Sequence, residues 1–156
     1  MSDTIIHQTL DGKVLVVETR DGPITYDSKF LVAALLIFVA RGSGQIEPEE
    51  TAKMLELIAD HFRLAGADSL ELLTRAMGEE AVRPDLVENL TELGRALSDA
   101  EKEDIALMGL KVVAADGRRE VAEMEQFRTA MEAIELSPEG MHRAFDRYFA
   151  ETMPGE

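Results

Sequence analysis

The chain writes one pattern twice, and that duplication constrains its fold more than any other feature. Around residue 40 an apolar helical stretch runs into Gly42-Ser43-Gly44-Gln45-Ile46-Glu47-Pro48-Glu49-Glu50 and then into an amphipathic stretch. Around residue 113 a second apolar stretch runs into Ala115-Asp116-Gly117-Arg118-Arg119-Glu120-Val121-Ala122-Glu123, and another amphipathic stretch follows. Laying Gly44 on Gly117 sets an offset of 117 − 44 = 73 residues. The same offset pairs Ser43 with Asp116, Glu50 with Glu123, Met54 with Phe127 and Ile58 with Met131. Self-similarity at a fixed spacing marks a repeated supersecondary unit. The unit here is a helix–turn–helix, so the pattern predicts an all-α bundle built around two copies of it.

A chain of 156 residues, 46% apolar and 30% charged, can bury the core of one domain without metal or disulfide support. Its formal net charge of −15 repels polyanions, which argues against nucleic acid and anionic membranes as partners. Cationic partners are favoured, metal ions included; a well-solvated surface is the simpler reading of the same charge. Cysteine is absent, which removes thiol redox chemistry, thiolate metal sites and disulfides and fits a reducing compartment. Met1-Ser2-Asp3-Thr4 carries no basic stretch leading into an apolar core. The longest apolar run, Phe30 to Ala40, spans roughly 16 Å as a helix, about half a bilayer core. A cytoplasmic protein without membrane insertion is the expectation.

Residues 13–26 alone read as β. Val and Thr are frequent there, Asp21-Gly22 is a hairpin signal, and Pro23 confines the hairpin to a sheet edge. Everything after Asp27 reads as helix. Asp27 or Ser28 caps a first helix that is apolar all round and therefore buried; Gly42-Ser43-Gly44 ends it. Pro48 opens a second helix, with Met54, Ile58 and Phe62 on its core face, and Gly66 stops it. Asp68-x-x-Glu71 suggests a short third helix, Pro84 starts a fourth, and Ser98-x-x-Glu101 is a capping box for a fifth. Val121, Met124, Phe127, Met131 and Ile134 mark a sixth, and Ser137-Pro138-Glu139 opens a seventh. The expected organisation is a hairpin extension over residues 1–28, a seven-helix domain over 29–150 and a tail over 151–156.

Ala115-Asp116-Gly117, a short loop and Glu123 at the start of an amphipathic helix resemble the signature of the TerB-like domain family, named for tellurite resistance. Gly44-Gln45-Ile46-Glu47-Pro48-Glu49-Glu50 supplies a first copy, and the resemblance covers roughly residues 29–150. It implies an all-helical fold of about seven helices and links to tellurite and stress tolerance, with ion binding and scaffolding of other proteins rather than enzymatic activity. Two positions depart from the pattern: Ser43 stands where the first copy would carry its Asp, and Arg119 where an apolar residue usually follows the Asp-Gly.

Asp116, Glu120, Glu123 and Glu125 cluster around a Gly-containing turn and offer hard oxygen ligands to Ca²⁺ or Mg²⁺. The spacing is not that of a twelve-residue calcium loop, and Arg118 and Arg119 oppose a cation. As plain structure, Asp116 would cap the turn and the glutamates would complement a helix N-terminus. Glu50 joins the metal candidates Asp116, Glu120 and Glu123 if the two copies bring their equivalent helices together. His7, His61 and His142 lack the i, i+4 spacing of a helical zinc site, and no catalytic set or phosphate loop is present. The leading expectation is a non-enzymatic, ion-responsive or scaffolding domain with other proteins as partners. The alternative is a metal-independent interaction module that uses its acidic surface or its hairpin edge.

Overall fold

The computed structural model describes residues 5–11, 14–19, 22–82, 86–115 and 121–152. Three strands, β1 (Ile5–Asp11), β2 (Val14–Thr19) and β3 (Gly22–Asp27), form an antiparallel sheet in the order β1-β2-β3. The expected hairpin is the β2–β3 pair, closed between Thr19 and Gly22. Strand β1 extends it to three. Pro23 lies on β3, at the edge of the sheet, where the amide it lacks is not needed.

Seven α-helices follow among the described residues: α1 (Ser28–Ala40), α2 (Pro48–Phe62), α3 (Gly66–Val82), α4 (Leu86–Arg95), α5 (Asp99–Val113), α6 (Val121–Ala133) and α7 (Pro138–Thr152). Asp27 caps α1 by accepting the Phe30 amide at 3.1 Å. The capping box of α5 is complete: Ser98 Oγ accepts the Glu101 amide and Glu101 Oε1 accepts the Ser98 amide. Two expectations are revised. Helix α2 ends at Phe62 through Arg63 in a left-handed conformation, ahead of Gly66, and Gly66 instead begins a third helix of 17 residues. Val121 is 73% exposed and contributes nothing to the core face of α6, which Phe127, Ala130 and Met131 supply.

Helix α1 is buried at ten positions from Phe30 to Ala40 and forms the axis of the bundle, with α2, α3, α4, α5 and α6 against it. Helix α5 is the second buried helix, covered by α7 on its outer side. The sheet is tied to the bundle through Tyr26, whose hydroxyl donates to Glu79 at 2.9 Å. The Arg75 guanidinium stacks 5.0 Å from the Phe30 ring and 6.0 Å from the Tyr26 ring. No helix among the described residues is long and apolar enough to cross a membrane.

Candidate functional site

The two copies agree to the residue. Helices α1 and α5 end at Ala40 and Val113, and α2 and α6 begin at Pro48 and Val121, each pair 73 apart. Arg41 (φ −75°, ψ −4°) and Ala114 (φ −88°, ψ −2°) close the first helix of each copy in nearly the same conformation. Each donates its amide to two equivalent carbonyls, Ile37 and Val39 in the first copy, Leu110 and Val112 in the second. After Arg41 the chain makes one 3₁₀ turn (Arg41–Ser43) and leaves it through Gly44 at φ 90°, a left-handed conformation that favours glycine.

Glu50 and Glu123 are each the third residue of their helix, and both are 0% exposed. Burial is unusual for a glutamate at a helix start, where solvent normally carries most of the charge. Glu50 Oε1 accepts the Glu47 amide at 3.0 Å, a helix-capping bond, whereas Glu50 Oε2 is buried with no hydrogen-bond partner among the described residues. A buried carboxylate oxygen left in this way carries a desolvation cost that a cation, a proton or an ordered water must offset.

The start of α6 is pinned to the first copy. Gly42 lies so close that a methyl group on its Cα would stand 2.6 Å from the Ala122 carbonyl oxygen and 2.7 Å from the Glu123 Cα. One turn further along α6, Gln126 Nε2 donates to the Phe38 carbonyl at 3.2 Å. Glu123 therefore sits against the turn that follows α1. Sequence spacing had grouped it with its own loop. Asp116 and Glu120 lie outside the described residues, and Glu125 is exposed. Among the described residues no point gathers three or more acidic or histidine side chains as a metal cage would.

A groove that local sequence did not announce runs along α5 between α2 and α7. It consists of two depressions of about 450 and 310 Å³ that share Leu57, Asp60, Lys111 and Glu151. Its cations are engaged: Lys53 with Glu56 at 3.4 Å, Lys111 with Glu151 at 2.8 Å, and Arg147 with Asp104 at 2.8 Å and Glu103 at 2.9 Å. Arg143 adds a 2.6 Å bond to Glu103. Hydrogen bonds from Arg143 and Arg147 hold the Glu103 carboxyl below the usual carboxylate range, and those from Arg147 to Asp104 and Glu103 raise the arginine. On the other side of α7 a smaller apolar pocket of about 210 Å³ is walled by Met124, Phe145, Tyr148 and the 42%-exposed Phe149. His61 lies exposed at the groove, and His142 is exposed 3.4 Å from Asp146.

The family model described as "Tellurite resistance protein TerB" matches residues 29–146. No curated protein and no solved structure matches the chain.

Proposed function

The chain belongs to the tellurite resistance protein TerB family, and from that premise we propose that it is a non-enzymatic, ion-responsive scaffolding module in tellurite and stress tolerance. One observation carries this reading. Two glutamates hold the same place in two equivalent helices, both are wholly buried, and one of them keeps a carboxylate oxygen without a hydrogen bond among the described residues. A helix cap needs one oxygen and works at the surface. Buried carboxylates at equivalent helix starts would, by taking a cation, set how the helices pack.

The donors are oxygens, which suits Ca²⁺ or Mg²⁺ and not the softer metals that prefer thiolate or imidazole. Glu50 and Glu123 would hold the ion, with Asp116 and Glu120 as further candidates. The bound ion would supply positive charge where the fold has buried negative charge. Helices α2 and α6, whose first turns carry these glutamates, would then be held against α5 and α1, and the surface they present to a partner protein would depend on the filled state.

Thermal unfolding of chelator-stripped protein with Ca²⁺, Mg²⁺, Mn²⁺ or Zn²⁺ tests this. Saturation at about 100 times the dissociation constant adds about 2.7 kcal/mol, a rise in Tm of roughly 5–10 °C for a chain of this size. A rise for one ion that the double variant Glu50→Gln, Glu123→Gln abolishes supports the proposal. A flat response to all four ions sinks it and leaves a metal-independent interaction module.

A further inference from the structure

Leu70, Val121 and Phe149 are the large apolar side chains left exposed among the described residues. A single exposed apolar residue needs no explanation, whereas a contiguous patch does. Phe149 stands at the 210 Å³ pocket, stacked on Phe145 with ring centroids 6.4 Å apart and edge-on to Tyr148 at 5.6 Å. Met124 adds a wall from α6, and Val121 lies one helical turn before it, on a neighbouring part of the helix surface. The pocket is smaller than the about 300–1,000 Å³ usual for small-molecule sites. It fits one large side chain of something bigger. Tyr148 and Ala114 belong both to this pocket and to the 450 Å³ depression on the other side of α7, so the two hollows are neighbours. The larger hollow differs in kind. Lys53, Lys111 and Arg147, the lysines and arginine of the groove, are each closed on a carboxylate of this chain. Asp60 lines both depressions of the groove and meets no cation or hydrogen-bond donor among the described residues.

We propose that this surface docks a cationic amphipathic segment of a partner protein. One large apolar side chain of the segment sits between α6 and α7, and a lysine or arginine passes Tyr148 to reach Asp60. Charge selects the occupant. A second copy of the chain would bring another −15 against the first. An anionic ligand would meet no unpaired lysine or arginine among the described residues of the groove. A basic segment gains both the apolar seat and the unmatched carboxylate, and the field of the whole molecule draws it in. Apolar and basic residues three or four apart share one face of a helix, which suits a helix laid into a groove. The inference rests on the scaffolding part of the proposed function and does not require the ion.

Fluorescence anisotropy of the full chain in EDTA provides the test, with a labelled, amidated peptide of Leu, Lys and Ala whose leucines repeat at i, i+3, i+4 and i+7. The expected result is saturable one-to-one binding that weakens as NaCl is raised. Phe149→Ala weakens it by about tenfold or more, as loss of an aromatic anchor does, with the far-ultraviolet dichroism kept. Asp60→Asn, which touches no core residue, weakens it by about two- to fivefold, the worth of an exposed charge pair. Leu70→Ala and Glu71→Gln make the same kinds of change on exposed positions of α3, which lines neither hollow, and leave binding at the wild-type level. No binding by the wild type overturns the proposal. Equal binding by Phe149→Ala and the wild type also overturns it, since the attraction is then net charge alone. A wild type that sediments as a dimer split by Phe149→Ala overturns it too, because the occupant is then a second copy. With divalent ions held in EDTA, none of these outcomes bears on the rise in Tm by which the ion is judged, so the two readings fail separately.

Discussion

Gly42 has no side chain because the helix it meets leaves no room for one. In Gly42→Ala the new methyl group meets backbone, which cannot swing aside as a side chain would. A loss of about 1–3 kcal/mol follows from overpacking of this kind, measurable by urea unfolding. Ser69 is the opposite case, a polar group that the core accepts because its hydroxyl donates to the Leu55 carbonyl at 2.8 Å and so ties α3 to α2. Ser69→Ala should cost about 1 kcal/mol, the net worth of one buried hydrogen bond, in the same assay. At this scale the sequence was informative where the two copies could be compared: the offset alone set Glu50 opposite Glu123. It was silent on the Gln126–Phe38 bond, which joins residues 88 apart and leaves no local trace in either helix.

Among the described residues, α7 makes its extensive helix contact with α5. Arg143 and Arg147 clasp Glu103 and Asp104 at its middle, and Lys111 reaches Glu151 near its end. Because these pairs are partly exposed, Arg147→Ala should cost about 0.5–1 kcal/mol, and less at high salt. The pH dependence has a definite sign. The Glu103 carboxyl titrates lower in the folded protein than in the unfolded chain. Its contribution is therefore fully present above the ordinary carboxylate value, near ~4.3, and fades as pH falls through the folded value. The difference in Tm between wild type and Glu103→Gln should shrink accordingly when unfolding is followed from about pH 6 to about pH 3. Helix starts were legible from Asp27, Pro48, Ser98 and Pro138, since caps are local chemistry. The length of α3 was not, because Gly66 was read as a stop when a left-handed Arg63 had already ended α2. Strand β1 was missed because His7, Gln8 and Asp11 dilute its pattern and it lacks the repeated Val of β2, while strand propensity depends on context.

At the scale of the whole molecule, the charge of −15 repels itself in the compact state. Moderate salt, at about 0.3 M NaCl, should raise Tm by screening that repulsion, even as it weakens the α7 clasp; scanning calorimetry of wild type and Arg147→Ala over a salt series would separate the two. The bundle was readable because a duplicated pair of apolar helices can be satisfied only by mutual burial. The groove between α2 and α7 was not, since a surface hollow arises from where helices fail to meet. The burial of α1 also bears on how the protein is made. The helix with the most apolar surface is translated first, yet α6, which covers one of its sides, ends at Ala133, 133 − 40 = 93 residues later. At about 5–20 residues per second that is roughly 5–19 s during which a greasy rod protrudes from the ribosome without its wall. A nascent chain of this protein is accordingly a client for holding chaperones, and a message stalled before codon 121 would yield a fragment that clumps where the finished chain stays dispersed.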